Sequence, residues 1–370
     1  MPDPLISESN HLTEIHHWFA SKNKKLILDF VPNHMAIDSP LVSKYPDYFL
    51  KADSNKEDKN TFLHPNGFRY CYGKDPYFDG WTDTIQWDFS NPEVETYHTQ
   101  LLRKIAEQCD GVRCDMAMLP LPEVFEKTHG KKSVYDWQRV IRTIKKEFPE
   151  FRFYAEVYWG LEVTLRNQGF DATYDKSLYD ALHNKDLHQT YDLISKNSEL
   201  HYIRFLENHD EGRAEITFGD NAKTYFSLLS ASPCTILFYD GQELGLTKKI
   251  PVQMIGIDEE KENQRTKEFY TRIFSVITNR SNDAKFSDVS YSEFHYLPIF
   301  ARLITSQNQT ELILWNFHKT TASGWIHYQE GITYQKELKD LVSGETFSQE
   351  KKEDGIYYKL EPNQLQWFTF

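Results

Sequence analysis

Four short apolar runs in this sequence end in residues that can move protons, attack a carbon or bind a cation. The runs 26–31 (LILDFV), 111–115 (GVRCD), 151–156 (FRFYAE) and 203–208 (IRFLEN) carry Asp29, Arg113, Asp115, Glu156, Glu207 and Asn208 at or near their C-terminal ends; Asn33, His34, His209 and Asp210 follow closely. A fifth run, 235–239 (TILFY), continues into Asp240, Gly241, Gln242 and Glu243. Metal-dependent hydrolysis would use His34, Asp115, Glu156, His209 and Asp210 as ligands, but Arg113 would then set a cation beside the metal, a poor electrostatic arrangement. Taken singly, each run reads better as ordinary solvation of a strand end.

Charges gathered at strand ends need elements that bring those ends together. Short apolar runs alternating with amphipathic ones predict parallel strands joined by crossover helices, and a parallel barrel collects its catalytic groups at the C-terminal face of its strands. The helical faces are Leu12, Ile15 and Phe19; then Val94, Leu101, Leu102 and Ile105; then Val134, Trp137, Ile141, Ile144 and Phe148. Spacings of three, four and seven predict one buried face for each. Between the first and second strands, 35–91 is dense in Asp, Asn, Lys, Gly, Pro and aromatics, and reads as an inserted loop subdomain over the catalytic face.

A further helix is predicted over 262–278, with Phe269, Ile273, Phe274 and Ile277 on its apolar side. Beyond it the pattern changes to short alternating strands at 311–317, 324–328, 355–360 and 365–370, which predicts an antiparallel β-sandwich and a boundary near 281–292. The expected organisation is a catalytic domain over 1–284 and a sandwich over 285–370.

Bulk properties narrow the partners. The 370 residues hold 8 Trp, 22 Tyr and 25 Phe, enough to supply both core packing and stacking platforms for flat ligand faces. A net charge of −13 disfavours nucleic acid and favours a neutral or cationic ligand. Cys71, Cys109, Cys114 and Cys234 lack zinc-ligand spacing and read as reduced, mostly buried thiols. No apolar run approaches a membrane span, and the opening MPDPL lacks the basic and apolar regions of a signal peptide, so a soluble, cytoplasmic protein is expected. Oligomeric state cannot be read from the sequence. The sequons at Asn279 and Asn308 read as chance.

Taken in order, 29–34 (DFVPNH), 111–115 (GVRCD), Glu156 after FYA, and 207–210 (ENHD) resemble the four signature segments of the α-amylase family of glycoside hydrolases. The segment 86–89 (QWDF) and the loop 239–245 (YDGQELG) extend the resemblance to nearly the whole chain. The resemblance implies a TIM-type (β/α)8 barrel and retaining cleavage or transfer of α-glucosidic bonds in oligo- or polysaccharides. Carried over residue by residue, it makes Asp115 the nucleophile, Glu156 the general acid/base, and Asp210 the carboxylate that grips sugar hydroxyls. His34 and His209 would hydrogen-bond the sugar, and Asp29 would brace Arg113. A retaining glycosidase needs two carboxyl groups about 5–5.5 Å apart, one ionised and one protonated. Arg113 is expected to hold Asp115 ionised, and an apolar wall at Tyr158 or Trp159 to keep a proton on Glu156.

No cofactor is implied for the chemistry, although Asn33 would offer its amide oxygen to a structural calcium. Further calcium oxygens would come from Asp38, Asp47, Asp75 and Asp79 in the insertion. Two departures stand out. Many family members carry Lys-His shortly after the nucleophile, where this sequence reads Met116, Ala117, Met118, Leu119. The segment ending in Asp29 corresponds to the third barrel strand with only one helix before it, so a barrel lacking its first two strand-helix units is expected. Those departures motivate the alternative of a non-catalytic relative that binds sugar or a protein partner.

Overall fold

The computed structural model describes residues 11–53, 57–195, 201–251, 259–281, 283–289, 298–329, 331–349 and 355–370. The chain divides into two compact units, Met1–Tyr174 and Asp175–Phe370.

The first unit is built on four parallel strands in sequence order, Ile27–Phe30, Gly111–Cys114, Arg152–Ala155 and Ala172–Tyr174. Helix Pro92–Ala106 connects the first two, Pro122–His129 and Trp137–Glu147 the next pair, and Glu162–Asn167 the last. Local chemistry sets the helix starts. Asn91 accepts the Glu93 N–H ahead of a proline at the first helical position, and Asp136 accepts the N–H groups of Gln138 and Arg139. Asp110 and Asp171 lie near the N-terminal ends of the strands, where they accept the N–H groups of Leu26 and Phe153 and bind Lys25 and Lys145. Gly111 allows close strand approach there, since a Cβ would stand 2.6 Å from the Arg152 carbonyl oxygen and 2.9 Å from Ile27 Cδ1.

The predicted faces are buried at Val94 and Leu102, and at Trp137, Ile141 and Ile144. Val134 is exposed because it lies in the extended lead before its helix. Helix His11–Ser21 departs from its pattern more fully. None of its residues is buried, and Ile15 and Trp18 are exposed.

The 35–91 stretch contains more regular structure than its composition implies. His34–Ala36 pairs antiparallel with Thr84–Gln86, and Thr61–Leu63 with Arg69–Cys71. Phe49 and Trp87 stack at 4.5 Å, with Tyr70 edge-on to Phe49, so a buried aromatic nucleus replaces long apolar runs as the local core.

In the second unit, Tyr202–Arg204 and Thr235–Ile236 form a parallel pair, with five helices among the described residues, the last being Gln264–Ile277. An antiparallel sheet follows, in the order Lys285–Asp288, Phe300–Thr305, Thr310–Trp315, Leu365–Thr369, with Ala322–His327 pairing Gly355–Leu360. The antiparallel strands begin within the expected 281–292 boundary, although 282 and 290–292 lie outside the described residues. Among the described residues, no helix is long and apolar enough to cross a membrane.

Candidate active site

The side chain of Arg113 organises the first unit's polar end. Its strand lies between two others with Asp29, Arg113 and Tyr154 in register. Nη1 donates to Asp29 Oδ1 at 3.0 Å and to Asp115 Oδ1 at 2.8 Å, while Nη2 donates to Glu156 Oε2 at 2.6 Å. One cation therefore serves three carboxyl groups. Glu156 is 2% exposed and further held by the Met116 N–H on Oε2 at 2.9 Å and by the Tyr158 hydroxyl on Oε1. The side chain predicted as an apolar wall thus acts through its polar tip. Trp159, with φ of +62°, is partly exposed and packs edge-on to Tyr77.

Electrostatics reverse the expectation for Asp115. Its carboxyl is pushed up to about 7, first by burial and then by the charge of Glu156, against the pull of Arg113. Arg113 cannot hold Asp115 ionised by itself because its charge is divided among three acids in a desolvated place. The guanidinium stays cationic: burial opposes its charge, and Glu156, Tyr174, Asp29 and Asp115 outweigh that penalty. Tyr174, at the end of the fourth strand, is pushed up to about 12 by burial. His34 is lowered to about 4 by burial, against Asp83, and is a neutral imidazole near pH 7. Its Nδ1 is buried without a hydrogen-bond partner among the described residues.

The second unit presents His209 and Asp210 on a tight turn. Asn208 Oδ1 accepts the N–H groups of Asp210 and Glu211, both at 2.9 Å, and His209 Nε2 lies 3.0 Å from Asp210 Oδ2. The Asp210 side chain is 51% exposed.

No protein-family model matches the chain. The α-amylase 2 of Dictyoglomus thermophilum is 22% identical over 389 residues, covering 95% of this chain and 61% of that relative. Among solved structures, a cyclomaltodextrinase matches with a TM-score of 0.73 at 17% identity, over 100% of this chain and 64% of its own. The α-amylase of Geobacillus thermoleovorans, solved with acarbose, matches with a TM-score of 0.67 at 18% identity, over 99% and 82%. The chain is thus similar in sequence to an α-amylase and shares the fold of these solved structures. The chain spans 61% of the length of the curated relative it matches.

The segment after Asp115 has a physical reason to be apolar. Ala117, Met118 and Leu119 are buried in the first unit's core, the Ala117 N–H donates to the Glu156 carbonyl at 2.9 Å, and the Trp137 indole donates to the Ala117 carbonyl at 2.8 Å. Met116 turns the chain there with φ of +43°, which aims its N–H at Glu156. Sequence reading missed the parts played by Met116, Tyr158 and Tyr174. A tyrosine two residues after the acid was the one signal available.

Oxygens of Asn33, Asp47, Asp75 and Asp79, four of the residues suggested for calcium, are otherwise engaged. Asn33 Oδ1 accepts from Gln86 Nε2 at 3.1 Å, Asp47 binds Lys51, Asp79 binds Lys59, and Asp75 Oδ1 accepts the N–H groups of Tyr77 and Phe78. Among the described residues, no group of three or more His, Cys, Asp or Glu could hold a metal ion. These residues do not fit a calcium cage.

Proposed function

We propose that this chain carries the machinery of a retaining glycoside hydrolase or transglycosidase for α-glucosidic bonds, with Asp115 as nucleophile and Glu156 as general acid/base. The observation that carries the reading is the Arg113 guanidinium shared between Asp115 and Glu156 at neighbouring strand ends. In the first step the Asp115 carboxylate attacks the anomeric carbon while Glu156 protonates the departing glycosidic oxygen. In the second, Glu156 takes a proton from water or an acceptor sugar, whose oxygen attacks the anomeric carbon from the face the first leaving group vacated, opposite Asp115, and displaces it, so configuration is retained.

Both steps require one proton between the two carboxyls. Burial drives a proton onto the pair, as the shift of Asp115 reflects, and Arg113 keeps the remaining negative charge in place. Asp210 is assigned the grip on sugar hydroxyls, with the neutral His34 imidazole, and His209, as hydrogen-bond partners of the sugar. No cofactor or calcium enters these steps. The fuller architecture, a partial TIM-type barrel with 35–91 as a loop subdomain and an antiparallel domain from 285, belongs to the same proposal.

The test is release of 4-nitrophenol from an α-maltoside by the wild-type chain and by Asp115→Asn. The substitution is expected to lower kcat by about 10³-fold or more, because the covalent step has no substitute. Equal rates would sink the assignment. Sugar binding by a wild-type chain that never turns over would favour a carbohydrate-binding relative.

A further inference from the structure

The turn that carries His209 and Asp210 is closed at its two ends by a buried ion pair. Arg213 Nη1 donates to Glu207 Oε1 at 2.7 Å, both side chains being 1% exposed, and Glu207 Oε2 accepts the Ala214 N–H. The same guanidinium also reaches the 240–249 segment. Nη1 donates to the Asp240 carbonyl at 2.7 Å, Nε donates to the Lys248 carbonyl at 3.1 Å, and the cation sits 4.6 Å from the Tyr239 ring centroid. From that segment Lys249 Nζ donates to the backbone carbonyl of Asp210 itself.

The segment making these contacts is held in its own fold. Gly241 has φ of +83°, and a Cβ there would stand 2.4 Å from Leu246 Cδ1, so the segment doubles back only with glycine at its corner. Glu260 accepts the N–H groups of Thr247 and Lys248 at 2.7 and 3.2 Å. Two cations thus fasten one catalytic turn to one preformed loop.

We infer that Arg213 is a positioning residue, and that the 240–249 segment, acting through Arg213 and Lys249, fixes the direction in which Asp210 presents its carboxylate. The inference rests on the reading of Asp210 as a carboxylate that acts on the bound sugar. A guanidinium can bond a carboxylate and two carbonyls at once in a fixed plane, whereas an ammonium can neutralise Glu207 without holding both loop carbonyls. Charge neutralisation and positioning therefore separate in Arg213→Lys.

The experiment measures kcat, KM and the acarbose dissociation constant for wild type, Arg213→Lys, Lys249→Ala and Asp210→Asn, below the melting temperature of each. Arg213→Lys is expected to lose about 100-fold in kcat with KM moving less than about threefold, since a misplaced transition-state group costs rate before ground-state affinity. Acarbose affinity should weaken in parallel with kcat/KM. Lys249→Ala removes only an exposed contact, so it should fold as wild type and lose about tenfold in kcat/KM. Both variants within about twofold of wild type in kcat/KM and acarbose affinity, even with a lowered Tm, would show a stabilising role alone and overturn the inference. Should Arg213→Lys fail to fold, Lys249→Ala decides. An inactive Asp210→Asn beside an active wild type upholds the reading of Asp210 whichever way the other variants fall; an Asp210→Asn as active as wild type removes that reading and the inference with it.

Discussion

Arg113 places one guanidinium nitrogen 2.8 Å from Asp115 and the other 2.6 Å from Glu156, so a single cation touches the two carboxyl groups to which the proposed reaction gives opposite protonation. The balance between them is set by burial and by how many acids share that cation. Asp29, the third acid on Arg113, is part of this balance although it lies farther into solvent.

The first prediction concerns stability against pH. The Asp115 carboxyl is raised from its ordinary value to about 7, so the folded state binds this proton more tightly than the unfolded chain does. That contribution is full below about 4 and is lost as pH rises through about 7. Asp115→Asn, which cannot ionise, should therefore gain Tm over wild type between pH 5 and pH 8. Thermal melts at both pH values check this, and a Tm difference that does not change with pH would contradict the buried, crowded carboxyl.

A second prediction concerns rate against pH. Because both steps need one proton between the two carboxyls, and the proton reflected in the raised Asp115 value is lost as pH rises through about 7, the alkaline limb of kcat/KM should fall near pH 7. Asp29 raises the Asp115 value by its charge, so Asp29→Asn should move that limb to lower pH, by less than about one unit given the solvent screening at Asp29. A limb that moves to higher pH would show that Asp29 acts mainly by steering Arg113.

The third prediction concerns His34. With its value lowered to about 4, the imidazole carries no charge between pH 5 and pH 8 and can act on a sugar only as a neutral hydrogen-bonding group. His34→Gln should lower kcat/KM about tenfold to hundredfold, the loss of a hydrogen bond at ~1–3 kcal/mol, and leave the shape of the pH profile unchanged. A profile that changes shape would mean that the histidine titrates in the working range.

Much of this arrangement was legible in the sequence because strand ends advertise their charges. Asp29, Arg113, Asp115 and Glu156 were read together and stand within one hydrogen-bonded cluster. The sign of the Asp115 shift was not legible, since it depends on how many acids share Arg113 and how little water reaches them. Strand Ala172–Tyr174 was missed because three residues carry too little periodicity, and with it Tyr174 beside Arg113. In the C-terminal sheet, Lys285–Asp288 and Phe300–Thr305 escaped notice. The first has little apolar alternation, whereas the second is buried throughout most of its length around Arg302 and shows no simple alternation. The 35–91 stretch hid its core for a different reason, its buried residues being single aromatics separated by turns.

The register of the first unit's strands has a consequence for mutation by insertion and deletion. Asp29, Arg113 and Tyr154 stand abreast, and side chains alternate between the two faces of a strand. Losing one residue inside Gly111–Cys114 would send Arg113 to the opposite face and separate it from both acids, whatever else still folded. Length changes in the segment between helices Pro122–His129 and Trp137–Glu147 leave that alternation intact. The strand that carries Arg113 must therefore keep its residue count.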